Sequence, residues 1–338
     1  MEQLQNGNYI ITIDTGTTNT RMMLWQNSKK LSEYKASVGV RDTSIEGNNQ
    51  KLKNAIRQGF QTLLSQNNLQ EQDIDTVLAS GMITSEVGLC EIPHLTAPVS
   101  VDALAAGIQP VLLPDVFSKP ISFIPGIKNT NKTVTLENFE RMDIMRGEET
   151  EAVSVMGSLN APHGCIVVLP GSHSKFVHID DKGQITGCLT SMAGELLSVL
   201  TCNTILADSV QKHFTLPEEY NREAVHLGYQ TAKDIGVTRA AFSGRILNRF
   251  GGADYVYLSN YLMGVALSGD AQALKSSSAL SATPQTSIVI CGKDPLRQAL
   301  ADILRWDGYY QDIQLFAPQN DAPLSAMGAL MLNERSKK

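Results

Sequence analysis

Asp14 ends an apolar, β-branched run, Tyr9 to Asp14, and Gly16, Thr17, Thr18 and Asn19 follow it before Arg21. A carboxylate at a strand end projects into whatever cleft that end faces. Gly16 lets the turn backbone approach a ligand closely. Turn N–H groups and hydroxyls are the right donors for phosphate oxygens. A lone carboxylate beside phosphates suits Mg²⁺, which takes one or two protein carboxylates and keeps several waters. The same residue types also build an ordinary hairpin turn.

A second turn of this kind is Leu169-Pro-Gly-Ser-His-Ser-Lys175, again between two strand-like runs. Two such turns, one on each side of a cleft, could hold the β- and γ-phosphates of one nucleotide. Gly171, Ser172 and Ser174 are its candidate phosphate contacts. His173 and Lys175 could add charge. His173 with a neighbouring serine also resembles a fragment of a hydrolase site, but no G-x-S-x-G elbow is present.

Met145-Arg-Gly-Glu-Glu-Thr-Glu-Ala152 reads as a helix start, with Ala152, Val153 and Met156 on its apolar face. Glu148 and Glu149 sit where the helix dipole favours acids in any case. Chemically, one of them is a candidate general base. Arg146 is a candidate for a substrate carboxylate, which a guanidinium can grip bidentately. Ile288 to Pro295 (IVICGKDP) gives a strand, Gly292 and a helix start, a natural anion or ribose site. It is no Walker A loop, and neither G-x-G-x-x-G nor H-E-x-x-H occurs. The histidines do not cluster at metal spacing.

The elements that must position these residues repeat. Tyr9 to Asp14, Arg21 to Gln26 and Lys35 to Val40 read as three strands. Leu52, Ala55, Ile56, Phe60, Leu63 and Leu64 make one helical stripe, and Thr76 to Ser80 returns to strand. In the second half, Cys165 to Leu169, Lys175 to Asp180 and Gln184 to Thr190 read as strands. A helix from about Gly194 through Leu206 follows, then a strand at Ser287 to Cys291. Asp294-Pro295 suits the N-cap and first position of a helix. Ile313 to Ala317 reads as a last strand, and Asp321 can cap a final helix through Leu332. The expectation is two βββαβ units, residues 1–160 and 161–338, divided at the helix-breaking Asn160 to Gly164. A cleft between them is a favoured place for a ligand.

Composition agrees. A chain of 338 residues suits about two domains. Lys plus Arg is 28 and Asp plus Glu 34, a net charge of −6. That balance argues against nucleic acid or an anionic membrane as partner. The five cysteines are scattered and form no C-x-x-C pair, which excludes a zinc ribbon or thioredoxin-like chemistry. The first ten residues show no basic n-region and no apolar h-region, and no apolar run is long enough to span a bilayer. The expected setting is the cytoplasm. The oligomeric state stays open, a homo-oligomer included.

Asp14, Gly16, Thr18, Asn19 and Arg21 match the D-x-G-x-T-N-x-R phosphate motif of hexokinase-type proteins. The paired βββαβ pattern resembles the actin/Hsp70/sugar-kinase superfamily, in which two ribonuclease H-like domains enclose a nucleotide cleft. More narrowly, the chain resembles the 2-dehydro-3-deoxygalactonokinase family. The blocks that carry this are the Asp14 turn, Ser80 to Gly88 (SGMITSEVG), Met145 to Thr150, Leu169 to Lys175 and Leu189 to Leu196 (LTSMAGEL). The resemblance implies transfer of the ATP γ-phosphoryl group to the terminal hydroxyl of a 2-oxo-3-deoxy sugar acid. Carried over by position, Asp14 would organise Mg²⁺. Gly16 to Asn19 and Gly171 to Ser174 would hold phosphate, and Gly292 would line the adenosine site. Gly81, Met82 and Arg146 would face the sugar acid, and Arg21 would join the catalytic residues. The general-base position falls on Glu149, with its neighbour Glu148 left open as the alternative. The gluconate-derived epimer, or a phosphatase or ATPase activity of the same superfamily, remains the alternative function.

Overall fold

The computed structural model describes residues 8–158, 164–318 and 322–337. Asn160 to His163 of the expected boundary, the Asp321 cap and residues 1–7 lie outside these.

Strands β1 (Tyr9–Thr15) and β2 (Thr20–Gln26) are rich in β-branched and apolar residues and pair antiparallel around the Gly16 to Asn19 turn. At the other end of β2, Asn27 and Ser28 take φ of 49° and 65°. This is the two-residue turn that matches strand twist, and it returns the chain as β3 (Lys29–Ala36). The expected third strand at Lys35 to Val40 is therefore displaced. β3 is an edge strand of polar, partly exposed residues, so no apolar run marks it. Val40 instead opens α1 (Val40–Glu46). The expected stripe forms α2 (Gln50–Gln66), which buries Leu52, Ile56, Phe60 and Leu63, and β4 (Thr76–Gly81) runs parallel to β1. Short elements follow: β5 (Leu95–Thr96), β6 (Val99–Ser100), α3 (Val101–Ala106), β7 (Gln109–Val111), β8 (Ile121–Phe123), β9 (Ile127–Lys128) and β10 (Ile144–Met145). Helix α4 (Glu148–Ser158) ends the first half.

The second half is β11 (Cys165–Leu169), β12 (Ser174–Ile179), β13 (Gln184–Ser191), α5 (Ala193–Cys202), α6 (Arg222–Ile235), α7 (Val237–Gly251), α8 (Tyr255–Ser276), β14 (Ser287–Ile290), α9 (Leu296–Asp307), β15 (Ile313–Leu315) and α10 (Leu324–Ser336). The two six-stranded sheets run β3-β2-β1-β4-β8-β7 and β15-β14-β11-β12-β13-β6, and a three-stranded sheet runs β10-β9-β5. Read from its third strand, each half runs three-two-one-four, which is the expected repeat. Two features were not expected. Helices α6, α7 and α8 stand between α5 and β14, and α6 and α8 cross closely: a Cβ on Gly228 would lie 2.0 Å from the Tyr261 carbonyl oxygen, and one on Gly264 2.1 Å from that of Val225. Asp294 and Pro295 are not N-cap and first residue: α9 starts at Leu296 with Pro295 as N-cap. The Asp294 carboxylate instead takes the Arg297 guanidinium at 2.9 and 3.1 Å.

The halves interlock. β6, from the first half, is the edge strand of the second sheet, pairing Val99 with Ile185 and Ser100 with Gln184. Asn129 caps the same β13 with reciprocal bonds to Cys188, 2.8 Å to its carbonyl and 2.7 Å from its N–H. Helix α4 packs on β11 and β12, α10 packs on β1 and β4, and the two helices pack on each other. One apolar cluster accordingly runs through both halves, from Ile10, Trp25 and Leu78 to Val153, Val167, Val177 and Leu332. No helix among the described residues is long and apolar enough to cross a membrane.

The α4–α10 contact leaves no room: a Cβ on Gly328 would stand 1.8 Å from the Thr150 carbonyl oxygen. Gly328→Ala should therefore lower stability by about 1–3 kcal/mol, as overpacking does. Gly269, inside α8, has nothing within 4 Å of such a Cβ. Gly269→Ala should raise stability by about 0.5–1 kcal/mol through helix propensity. Urea midpoints of the two variants check this; shifts of the same sign would refute the packing argument.

Candidate active site

The first turn is fixed from behind. Gly16 N–H donates to the Asn19 carbonyl at 2.9 Å, and the first amides of α1 reach back, Val40 N–H to Gly16 at 3.2 Å and Arg41 N–H to Thr17 at 2.9 Å. Gly39 permits this approach, since a Cβ there would lie 2.5 Å from the Thr17 carbonyl group. The turn's carbonyls thus face its own protein, while Thr17, Thr18 and Asn19 are exposed. Asp14, Gly16, Thr17, Thr18, Asn19 and Arg21 come together as expected, around a cavity of about 430 Å³.

The second turn is built the same way. Glu195 N–H, in the first turn of α5, donates to the Ser172 carbonyl at 2.8 Å. Gly194 lies so near that a Cβ would stand 2.1 Å from the Gly171 oxygen. Gly171 and Ser172 line a cavity of about 350 Å³ with Leu197, Thr201, Phe214, Thr215, Ser259, Met263, Pro295 and Leu296. The mixture of apolar walls and hydroxyls suits a flat heteroaromatic base beside a phosphate turn. Three neighbours sit otherwise than expected. The exposed His173 ring bonds the Glu195 carboxylate at 2.8 Å. Ser174 is fully buried, so its hydroxyl leaves the ligand-facing set, because the β12 pleat turns it inward. Lys175 is also buried and donates to the Ile144 carbonyl at 2.8 Å and to the Thr190 hydroxyl, across to the first half.

Four carboxyl groups gather where α4 meets the two sheets. Asp14 Oδ2 accepts from the Ser325 hydroxyl at 2.8 Å. Burial raises its pKa, opposed by the Ser325 bond and by Arg21. Burial likewise raises Glu148, opposed by Lys175 and by the Arg146 N–H that its Oε2 accepts at 3.1 Å, while the Asp14 charge adds to the rise. Glu149 differs. It is 0% exposed, and both its oxygens accept from Gly147 N–H, at 2.9 and 2.8 Å. Burial, then the Glu148 charge, pushes it up to about 8. Glu151 is pushed up to about 8 by burial and then by Asp14.

Gly292, at φ 91°, joins Asp14, Arg21, Glu151, Lys293 and Ser325 around a further cavity of about 410 Å³. Arg21 also stands 3.4 Å from Glu33. Gly81 lies under Asp14: a Cβ would be 3.0 Å from Oδ1, and φ is 85°. Met82 opens a short 3₁₀ turn, Met82–Thr84, and packs partly buried against the first core. The Arg146 guanidinium donates to the Thr84 hydroxyl at 2.7 Å and the Ile92 carbonyl at 2.9 Å. It lies 3.4 Å from His94 Nδ1, whose ring burial and Arg146 hold down to about 4. None of Gly81, Met82, Arg146, Glu148 and Glu149 lines these three cavities.

The sequence reading missed Glu151, Ser325 and the base-cavity residues of α5 to α8. Glu151 had a signal, one α4 turn beyond Glu148, which puts both on one face. Ser325 had none, lying 311 residues from Asp14.

Glu149 gives a pH prediction. Between its ordinary 4.5 and about 8 the folded chain keeps a proton that the unfolded chain has released. Stability therefore falls as pH rises through that window. The loss is absent below pH 4.5 and complete above pH 8. Glu149→Gln should melt progressively higher than the parent as pH goes from 4.5 to 8.5, and a gap independent of pH would refute it.

Residues 14–319 match the family described as 2-keto-3-deoxy-galactonokinase. A 2-dehydro-3-deoxygalactonokinase of Escherichia coli (strain K12) is 24% identical over 266 residues, 78% of this chain and 80% of that protein. A solved candidate 2-dehydro-3-deoxygalactonokinase from Sinorhizobium meliloti is 20% identical, with a TM-score of 0.69 over 97% of this chain and 98% of that one. The activator of the 2-hydroxyisocaproyl-CoA dehydratase from Clostridium difficile, solved with bound ADPNP, is 14% identical, with a TM-score of 0.50 over 97% and 96%. The fold is that of the actin-like ATPases and sugar kinases, and the chain, a kinase that uses ATP, belongs to the 2-keto-3-deoxy-galactonokinase family.

Proposed function

We propose that the chain transfers the γ-phosphoryl group of ATP to the terminal hydroxyl of 2-dehydro-3-deoxy-D-galactonate, giving the 6-phosphate and ADP. The observation that carries this is the pair of helix-backed turns, Gly16 to Asn19 and Gly171 to Ser172, with Asp14 and Glu148 at the junction between their sheets. Residues 1–160 form the acceptor half and residues 161–338 the nucleotide half.

Phosphoryl transfer asks for alignment and charge stabilisation more than for covalent chemistry. The base stacks in the cavity between Met263 and Leu296, the ribose runs along Gly292, and the turn amides take the phosphates. Arg21 offsets their charge from β2. The Asp14 donor set fits Mg²⁺: a hard carboxylate oxygen beside hydroxyls at a cavity wall. When bound, that ion neutralises charge on the phosphate oxygens.

Glu148 serves as the base in this reading. Glu149 has both oxygens on Gly147 N–H and no exposed surface, so it reaches a hydroxyl only by giving up that bond, whereas Glu148 is half-buried and accepts through one oxygen, from Arg146 N–H at 3.1 Å. Burial that disfavours the Glu148 charge brings it towards neutrality, where a general base works best. Arg146, held rigid by Thr84 and Ile92, has guanidinium donors to spare for the acid's carboxylate, and Gly81 and Met82 face the same acid.

Coupled ADP release should require 2-dehydro-3-deoxygalactonate and be slower with its gluconate-derived epimer and with simple hexoses. Phosphate release without an acceptor would overturn the assignment in favour of a phosphatase or ATPase. Glu148→Gln should lower kcat by ~10²–10⁴, while Glu149→Gln stays within a few-fold; the opposite order would move the role to Glu149. Arg146→Met should raise KM for the acid and leave KM for ATP alone, and an unchanged acid KM would sink that role.

A further inference from the structure

One buried charge-bearing group has no part in the mechanism above. Asp270 lies in the middle of α8 with 0% of its surface exposed. Both its carboxyl oxygens lack a hydrogen-bond partner among the described residues, and so does the Ser174 hydroxyl, which is equally buried. The groups that face the carboxyl are the hydroxyls of Ser174 and Ser191. These two serines are cross-strand partners, at the first residue of β12 and the last of β13. Ser174 is also where the Gly171 to Ser174 turn enters its strand.

The placement along α8 adds a second observation. Ser259 and Met263 line the cavity that contains Gly171 and Ser172. Spacings of four and then seven carry that helical face from Ser259 through Met263 to Asp270. A single rigid helix therefore presents two residues to the cavity and a third to the root of the turn. We infer that Asp270 is a positioning residue for the second phosphate turn, its carboxyl bridging the Ser174 and Ser191 hydroxyls so that base cavity and turn keep one geometry. The inference rests on the nucleotide reading only for its effect on ATP.

Burial raises the Asp270 pKa, and the two serine hydroxyls oppose that rise. A carboxyl group offers two oxygens, and each serine hydroxyl can donate or accept. Ser174 and Ser191 are the two polar side chains that act on this carboxyl. An asparagine has the same shape, and its carbonyl oxygen and amide N–H can each pair with a serine hydroxyl, so Asp270→Asn should preserve the bridge, whereas Asp270→Ala removes it.

Amide hydrogen exchange of the nucleotide-free chain tests the bridge apart from catalysis. In Asp270→Ala and in Ser174→Ala the Gly171 to Lys175 amides should exchange roughly tenfold faster, the size of one net hydrogen bond. Asp270→Asn should leave them at the parental rate. The double variant should be no faster than either single one, because both remove the same bond. Parental exchange in Asp270→Ala, or additive effects in the double variant, would overturn the inference. Steady-state kinetics then separate the two readings. Asp270→Ala should raise KM for ATP about tenfold with KM for the sugar acid unchanged, and Asp270→Asn should restore it. Faster exchange with an unaltered ATP KM would leave the bridge standing and remove nucleotide binding from this turn. Equal rises in both KM values would show a general loss of structure and overturn the positioning role.

Discussion

Everything in this molecule hangs on how closely α4 and α10 can approach. At Gly328 the two helices meet main chain to main chain, because no side chain intervenes between the glycine and the Thr150 carbonyl. Each helix lies on the other half's strands. The crossing brings the first residues of α4 to Lys175 and carries Ser325 to Asp14. It also buries Glu149 outright and leaves Asp14, Glu148 and Glu151 half-buried, and burial raises the pKa of all four. Burying acids without full compensation costs stability. The fold tolerates that cost at the junction of its two large sheets.

The two turns solve one problem twice. A backbone loop that binds anions must show its amides outward and dispose of its carbonyls. Here the carbonyls are taken by the first amides of a following helix, α1 in one half and α5 in the other. Only glycine at positions 39 and 194 lets the helix come close enough. The positive ends of both helices then stand behind the turns. This explains how a chain of net charge −6 can receive anionic ligands. The favourable potential at the turns is local, made from backbone dipoles, and the overall balance does not report it.

Much of this was legible in the order of residues. The Asp14 and Gly171 turns declare themselves through glycine and hydroxyl chemistry between β-branched runs, and α2 through its stripe. The failures have physical causes. β3 is an edge strand whose residues need no apolar run. α8 is so deeply buried that apolar residues surround it, which erases the one-sided pattern by which helices are read. Glu148 and Glu149 are neighbours of identical chemistry, and only the direction of each side chain at the α4 start tells them apart. Ser325 depends on a chain return across nearly the whole sequence, which no local pattern encodes.

The single pair of residues in β6 has a mechanical meaning. By joining the far side of β13, and with Asn129 clasping Cys188 three positions along from Ile185, the first half grips one strand of the second. Asp143 adds bonds to the Thr190 main-chain N–H and hydroxyl farther along that strand. A rotation that keeps these bonds has β13 as its hinge line. Displacement then grows with distance from that line. It is smallest at the buried lysine beside Thr190. The geometry is that of a book bound along β13, whose pages part at the outer margin while the text nearest the spine stays in register.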